Sequence, residues 1–181
     1  SRIPAATIPQ LFFWRSKQNP QAAALEVKRQ GSFQPVLWEE LETDVLKAAA
    51  VLSEWVQPGE RVVHVSENRY EWLLSDLAIQ MLGGIHVPLH ATLTVAQQTD
   101  QAQDAQPCCL IRSTSDGLKL PNMPTLSYST NPQQGELSWH AALSSADVAH
   151  GQLAIGKVAN QIGSDSIATI LYTSGTTGES K

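Results

Sequence analysis

The middle of the chain alternates short apolar runs with longer amphipathic segments, and this alternation restricts the fold more than any other feature. The apolar runs span residues 61–66, 85–89 and 108–111, a length typical of strands bounded by turn residues. Two segments with helical spacing separate them. A strand, helix, strand, helix, strand order predicts a βαβαβ unit. Right-handed crossovers fold such a unit into an α/β structure, a largely parallel sheet flanked by helices.

Capping signals mark the start of both helical segments. Asn68 and Glu71 have the spacing of a capping box, and the helix that they open ends at Gly83 and Gly84. Thr94 and Gln97 form a second box at the start of the next helix. The first helix has one apolar side, made of Leu73, Leu74, Leu77, Ala78 and Met81.

A hairpin and a helix precede this unit. Residues 22–28 and 35–38 flank a turn-like segment at 30–32, which predicts an antiparallel pair. The helix that follows has apolar residues at three- and four-residue spacing and stops at Pro58. The acidic residues near its start are interpreted as a solvated helix end and not as a catalytic pair: Glu39, Glu40, Glu42 and Asp44.

The region from residue 113 to residue 163 is less patterned. Several Pro and Gly residues indicate loops. Within it we expect a strand at residues 125–128, a short helix at 137–143 and a connector at 154–163.

The closing stretch, residues 172–181, has the composition of an anion-binding loop. The apolar run at residues 167–171 predicts a buried strand leading into it. Glycines allow the backbone amides to turn toward one point, and hydroxyls and a lysine add donors. We therefore predict a cradle for a polyphosphate, made of Thr173, Ser174, Gly175, Thr176, Thr177, Gly178 and Lys181.

The order Tyr-Thr-Ser-Gly-Thr-Thr-Gly-x-x-Lys at residues 172–181 resembles the signature of the AMP-forming acyl-activating enzymes. These include acyl-CoA synthetases, luciferases and the adenylation domains of peptide synthetases. The match to the P-loop of other nucleotide-binding proteins is poor, because the second required glycine is absent. Ser180 stands where the usual signature has Pro, and every donor is retained.

The middle of the chain adds to the resemblance. Pro-Gly-Glu-Arg-Val at residues 58–62, Glu-Asn-Arg-x-Glu-Trp at 67–72 and Val-Pro-Leu at 87–89 follow the amino-terminal order of acyl-CoA synthetases. Together with the Thr-Leu-Thr at residues 92–94, this order looks most like the long-chain fatty acid group.

The resemblance implies a fold, a reaction and a set of ligands. Residues 1–181 would form the amino-terminal part of the AMP-binding domain, with residues 167–181 as a strand plus phosphate-binding loop and the carboxy-terminal part absent. The implied enzyme is a long-chain fatty acid–CoA ligase that uses ATP, Mg²⁺ and coenzyme A. The adenine pocket, the Mg²⁺ ligand and the catalytic lysine would lie beyond residue 181, so no catalytic residue is assigned and the fragment alone should be inactive.

Two alternatives stay open at this point. One is another adenylate-forming enzyme, either a fatty acyl-AMP ligase or an amino acid adenylation domain. The other belongs to a different class, a nucleotide-binding module without catalysis. The chain length of the acid, the acceptor and the oligomeric state are not determined by the sequence.

Charge, histidines and cysteines exclude several other functions. The net charge of −5 argues against a nucleic-acid surface. His86 and His90 are separated by Pro88, which argues against a metal pair, and no metal site is predicted. His64 is expected in the core. The adjacent cysteines 108 and 109 favour a reduced, cytoplasmic setting, with Cys108 buried and inert. No transmembrane segment is expected, and peripheral membrane contact stays open.

Overall fold

A five-stranded parallel sheet lies at the centre of the computed structural model, which describes residues 5–173. Its strands are β3 (Arg61–Val65), β4 (Ile85–Leu89), β5 (Cys109–Arg112), β6 (Thr125–Ser127) and β7 (Leu137–Ser138), in the spatial order β4-β3-β5-β6-β7. Helices α3 (Tyr70–Met81) and α4 (Val95–Ala105) connect the first three strands. The predicted βαβαβ unit and its parallel pairing are therefore confirmed.

The two faces of the sheet are covered by different helices. Val62 on β3 belongs to the larger core cluster, which includes residues of α3 and of the helix at Trp38–Leu52. Val63 belongs to the smaller cluster, with Ala102 of α4. Alternate strand residues point to opposite faces, so both faces of the sheet are buried. The chain runs from β3 to β4 on one side and returns past β3 to β5, which places the topological switch point between β3 and β5.

The hairpin predicted ahead of the sheet is confirmed. It consists of β1 (Ala23–Arg29) and β2 (Ser32–Leu37), which pair antiparallel. Gln30 and Gly31 both have positive φ, which closes the turn. Helix α1 (Ile8–Gln18) precedes the hairpin and α2 (Trp38–Leu52) follows it. The Glu40 carboxylate accepts from the Leu37 amide at 2.8 Å, which caps the start of α2.

Two local predictions are wrong. Helix α3 is not capped by Asn68, because its N-cap residue is Arg69, and Glu71 accepts from Arg69 Nε at 2.8 Å and does not reach back to Asn68. Residues 154–163 are not an irregular connector. They include the second half of α6 (Val148–Val158) and the 3₁₀ helix Ala159–Gln161. Gly151 and Gly156 lie within α6 and interrupt the spacing of apolar residues that would indicate a helix.

The other short elements agree with expectation. The strand expected near residue 125 is β6, and the helix expected at residues 137–143 is α5 (Trp139–Ser145), which begins two residues later. The capping box at the start of α4 is present: Gln97 N donates to Thr94 Oγ1, and Thr94 N donates to Gln97 Oε1 at 3.0 Å. Among the helices of residues 5–173, none combines the length and the apolar character needed to cross a bilayer.

Candidate functional site

The segment that leads into the closing stretch is held at the edge of the sheet by one residue of β4. His86 N donates to Ala168 O at 3.0 Å, and Ile170 N donates to His86 O at 3.0 Å. The pair forms a parallel bridge between His86 and Thr169. Both backbone groups of a single β4 residue therefore fix this segment beside the sheet.

Only part of the strand predicted at residues 167–171 is observed. The bridge at Thr169 is isolated, and Ile167 and Leu171 are 62% and 66% exposed. The prediction of a buried strand is therefore wrong. Within the described residues the segment pairs with β4 on one side, and no element covers the side chains of Ile167 and Leu171 on the other. These two side chains are exposed for that reason.

Beyond the bridge, Tyr172 attaches the chain to α4. Ile170 and Tyr172 pack against the smaller core cluster. Tyr172 Oη donates to Asp104 Oδ2 at 2.6 Å, and partial burial, followed by this bond, raises the pKa of Tyr172 to about 12. The hydroxyl therefore remains a donor throughout the physiological pH range.

The predicted phosphate cradle falls almost wholly outside the described residues. Thr173 is described and is exposed. The other predicted contacts lie beyond the described part of the chain: Ser174, Gly175, Thr176, Thr177, Gly178 and Lys181. The geometry of the cradle thus stays a prediction from sequence, and what the structure adds is the anchorage of the segment before it.

Charged side chains gather where β3 and β5 end, at the switch point of the sheet. A hydrogen bond from the Ser113 hydroxyl is the largest cause that lowers the pKa of Glu67. Arg69 binds Glu67 at 3.1 Å and Glu71 at 2.8 Å, and its guanidinium lies 5.2 Å from the ring centroid of Tyr128. Ligands of open α/β sheets bind outside the carboxyl ends of the strands. The cluster of Glu67, Arg69 and Glu71 is therefore a second candidate ligand-binding surface, besides residues 172–181.

A buried chain of polar side chains connects α3, β4, β3 and the residue that follows β6, and sequence analysis did not find it. Asp76 Oδ1 lies 2.8 Å from His86 Nδ1, and His86 Nε2 lies 3.0 Å from His64 Nδ1. His64 Nε2 in turn lies 3.0 Å from the hydroxyl of Tyr128. The expectation that His64 lies in the core is confirmed, since it is fully buried. The sequence signal that could have indicated this contact is that residues 64 and 86 lie on the same face of two neighbouring strands.

Burial lowers the pKa of one residue in this hydrogen-bonded series, His64. Loss of hydration, and then the neighbouring His86, lower the pKa of His64 well below its usual value. Trp72 stacks on the His64 ring at 5.7 Å between centroids, with 25° between the planes. Burial therefore favours the neutral form of the His64 imidazole.

The cysteines differ from expectation in one respect. Cys109 is buried, but Cys108 is only half-buried, and a hydrogen bond with Cys109 lowers the pKa of Cys108. The expectation that Cys108 is buried is therefore wrong. Cys108 precedes β5 and lies at the margin of the core. The apolar run at residues 108–111 does not by itself show that its first residue is partly exposed to solvent.

Metal ligands do not cluster in the described part of the chain. His86 is buried against Asp76, whereas His90 is exposed after β4. Residues 5–173 contain no group of three His, Cys, Asp or Glu side chains that could hold a metal ion.

Comparison with known proteins finds a family model and relatives that match most of this chain. The sequence model of the family described as AMP-binding enzyme matches residues 12–181. The chain is 28% identical over 179 residues to the long-chain-fatty-acid–CoA ligase FadD15 of Mycobacterium bovis, covering 94% of this chain and 30% of the ligase. It is 27% identical over 184 residues to the hybrid PKS-NRPS synthetase thnA of Trichoderma harzianum, covering 97% of this chain and 4% of the synthetase.

The fold has a close counterpart among solved structures. The N-terminal subdomain of Klebsiella oxytoca NpsA, in complex with 3-hydroxybenzoyl-AMSN, superposes with a TM-score of 0.75 at 19% sequence identity. The match covers 100% of this chain and 42% of that chain. The chain thus spans less than half the length of each of these proteins.

Proposed function

The chain belongs to the AMP-binding enzyme family, and from this premise we propose that the protein containing it activates a carboxylic acid as an acyl-adenylate. The observation that carries the proposal is the sequence at residues 172–181, which follows directly on the segment bonded to His86. A glycine- and hydroxyl-rich stretch ending in a lysine, attached to the edge of a parallel sheet, suits the phosphates of a nucleotide.

The proposed reaction begins with nucleophilic attack on ATP. A carboxylate oxygen of the acid attacks the α-phosphorus, the bond from that phosphorus to the bridging oxygen breaks, and pyrophosphate leaves. Donors aimed at the β- and γ-phosphates stabilise the negative charge that develops on the leaving group. We assign this role to Thr173, Ser174, Thr176, Thr177 and Lys181, and we assign to Gly175 and Gly178 the turn that brings the backbone amides to the phosphates.

A fatty acid is the proposed substrate and coenzyme A the proposed acceptor. In the second half-reaction the thiol of coenzyme A would attack the acyl carbon, and AMP would leave with the pair of electrons of the acyl–oxygen bond. The motifs at residues 58–62, 67–72 and 87–89 support this assignment, as does the similarity to FadD15.

A second candidate within the same chemistry is an adenylation domain that activates an amino acid or an acid destined for a carrier protein. The similarity to the synthetase thnA, at nearly the same identity as that to FadD15, favours this candidate. Both candidates share the first half-reaction, so they differ in the acid and in the acceptor.

The residues after position 181 in such an enzyme would contribute the base pocket and the Mg²⁺ ligands. We therefore propose that residues 1–181 are the amino-terminal part of the AMP-binding domain, with residues 167–181 presenting the phosphate-binding stretch. Alone, this part is expected to bind ATP weakly and to form no acyl-CoA.

Pyrophosphate exchange on the full-length protein tests the proposal. Radioactive pyrophosphate should enter ATP only when the correct acid is present. Fatty acids of increasing length form one series and the amino acids another, with an assay lacking any acid as the control. Exchange with fatty acids supports the ligase, and exchange with amino acids alone supports the second candidate. Absence of exchange with every acid would refute adenylate formation.

A further inference from the structure

A cavity of about 590 Å³ lies between the end of β1, the start of α3 and helix α5. It adjoins the cluster of Glu67, Arg69 and Glu71 and shares Arg69 and Glu71 with it. Cavities of this size are typical of sites for small organic molecules. Residues 160–173, which lead to the predicted phosphate-binding stretch, do not line the cavity, so it is a separate place on the molecule.

Part of the cavity wall is apolar. Val27 of β1, Leu74 of α3 and Leu143 of α5 all line the cavity, and each belongs to the larger core cluster or packs against it. Transfer of apolar surface from water onto such a wall is favourable. The wall therefore favours a ligand with an apolar body.

The two carboxylates that line the cavity already have donors. Tyr70 Oη donates to Asp44 Oδ2 at 2.8 Å. Arg69 holds Glu71 through two bonds, from Nε at 2.8 Å and from Nη2 at 3.0 Å, the bidentate arrangement of a strong pair. Neither carboxylate is therefore left as an isolated negative charge in the cavity.

Two cations of the cavity have no such partner. The side chains of Lys28 and Arg29, at the end of β1, are exposed, and neither forms a hydrogen bond or an ion pair with another residue in the described part of the chain. Together with Arg69, three cations face two carboxylates, a formal charge of +1 with His140 neutral. The chain as a whole carries −5. The cavity is thus a positive region on a negative protein and attracts anions.

A donor without an acceptor lies beside these groups. Trp139 of α5 also lines the cavity, it is fully buried, and its Nε1 has no hydrogen-bond partner among the described residues. A buried donor costs free energy until an acceptor reaches it. A ligand that carries oxygen atoms supplies such an acceptor.

We propose that this cavity binds an aliphatic carboxylate, with the carboxylate group at Lys28 and Arg29. The aliphatic body lies against Val27, Leu74 and Leu143. A guanidinium binds a carboxylate through two parallel hydrogen bonds, and a formal charge of +1 suits a singly charged carboxylate better than a doubly charged phosphate. An uncharged ligand would leave both cations unpaired, and an inorganic anion would leave the apolar wall in water. The site does not depend on the proposed function.

Fluorine NMR of Trp139 in the full-length protein tests the site. The tryptophans are replaced by fluorotryptophan, and Trp139→Phe assigns the signal of residue 139. Without ATP, octanoate should shift this signal in a saturable way. Octanol, which has the same body without the charge, and acetate, which has the charge without the body, should need concentrations at least about tenfold higher, the effect of one lost charge-assisted bond or of a lost apolar contact.

The three ligands separate the parts of the proposal. Octanol that binds as tightly as octanoate would show that the cations do not hold the ligand. Acetate that binds as tightly as octanoate would show that the apolar wall contributes nothing. The absence of a saturable shift with octanoate would refute the site as a whole.

The double variant Lys28→Gln, Arg29→Gln removes both unpaired cations. We expect the Kd for octanoate at the Trp139 signal to rise about tenfold or more, because a charge-assisted bond is lost. The matched control is Lys17→Gln, Lys157→Gln, which removes two exposed positive charges that do not line the cavity and should leave the Kd within twofold. Equal weakening in the two double variants would mean that net charge and not this cavity attracts the ligand. All four side chains are exposed, and circular dichroism checks that the variants fold.

The binding measurement is independent of catalysis because it uses no ATP. A wild-type protein in which octanoate shifts the Trp139 signal, but which exchanges no pyrophosphate with any acid, would refute adenylate formation and leave the cavity site established. Exchange activity without any response of Trp139 to octanoate would refute the cavity site and leave adenylate formation established.

Discussion

Gly151 of α6 lies directly against the backbone carbonyl of Leu46 in α2. A Cβ atom on Gly151 would be 1.9 Å from the Leu46 oxygen and 2.8 Å from its carbon, far inside contact distance. The two helices therefore approach closely because residue 151 has no side chain. Gly151→Ala should force α6 away from α2 and lower the free energy of unfolding by about 1–3 kcal/mol or more. Urea denaturation followed by circular dichroism measures the change.

Gly156 in the same helix is the matched control. A Cβ atom there would meet nothing within 4 Å. Gly156→Ala should raise the free energy of unfolding by about 0.5–1 kcal/mol, because alanine loses less conformational entropy than glycine in a helix. Equal effects of the two substitutions would contradict the close approach of α2 and α6 at residue 151.

The buried histidine pair predicts that stability falls in acid. The pKa of His64 is lowered in the folded state, so below its unfolded value near 6.5 the unfolded chain binds a proton that the folded one resists. The stability that His64 contributes is therefore present above pH 6.5 and is lost as the pH falls through its folded pKa. The slope from this group alone reaches about 1.4 kcal/mol per pH unit.

Comparison of variants isolates that contribution from other acid-titrating groups. His64→Asn cannot be protonated, so its free energy of unfolding should depend less steeply on pH between 6.5 and 5 than that of the wild type. His90→Asn, in which an exposed histidine is changed, should retain the wild-type slope. A slope unchanged by His64→Asn would show that the ring is not held neutral in the folded state.

The sequence predicts the parallel sheet well because the relevant signals are local. Each strand of the βαβαβ unit is a short apolar run, and Thr94 with Gln97 fixes a helix start within four residues. Helix α6 escaped prediction in part because Gly151 lies where the helix packs against α2, and the reason for a glycine at that position is not visible in the helical period. Its close contact with Leu46 is a property of two distant segments.

The candidate site is predicted less completely, for a related reason. The composition of residues 172–181 indicates a phosphate ligand without any tertiary information. The contact between His64 and His86 joins residues 22 positions apart on neighbouring strands, and Tyr128, the residue after β6, joins them from a third segment. A single histidine in a strand indicates burial, but nothing in the sequence indicates that two such rings share a bond.

Arg112 and Glu136 form an ion pair at the end of β5, with side chains 4% and 9% exposed. Glu136→Ala would leave the guanidinium buried with the Leu118 carbonyl and the Gln133 amide oxygen as acceptors. We expect a loss of about 3–5 kcal/mol in the free energy of unfolding. The double variant Arg112→Met, Glu136→Met should recover most of it, since no charge is left unpaired. A loss below 1 kcal/mol for Glu136→Ala would contradict the burial of this pair.

Lys181 closes the predicted phosphate-binding stretch and supplies its point charge. If this charge stabilises departing pyrophosphate, Lys181→Ala in the full-length protein should lower the rate of pyrophosphate exchange by about 10²–10³-fold, the usual effect of losing one donor to a developing negative charge. Gly175→Val should lower it as well, because a branched side chain restricts the backbone turn. Lys157→Ala, which removes an exposed lysine from α6, is the control for the loss of a positive charge and should leave exchange unchanged. Normal exchange in both Lys181→Ala and Gly175→Val would mean that residues 172–181 do not hold the phosphates of ATP.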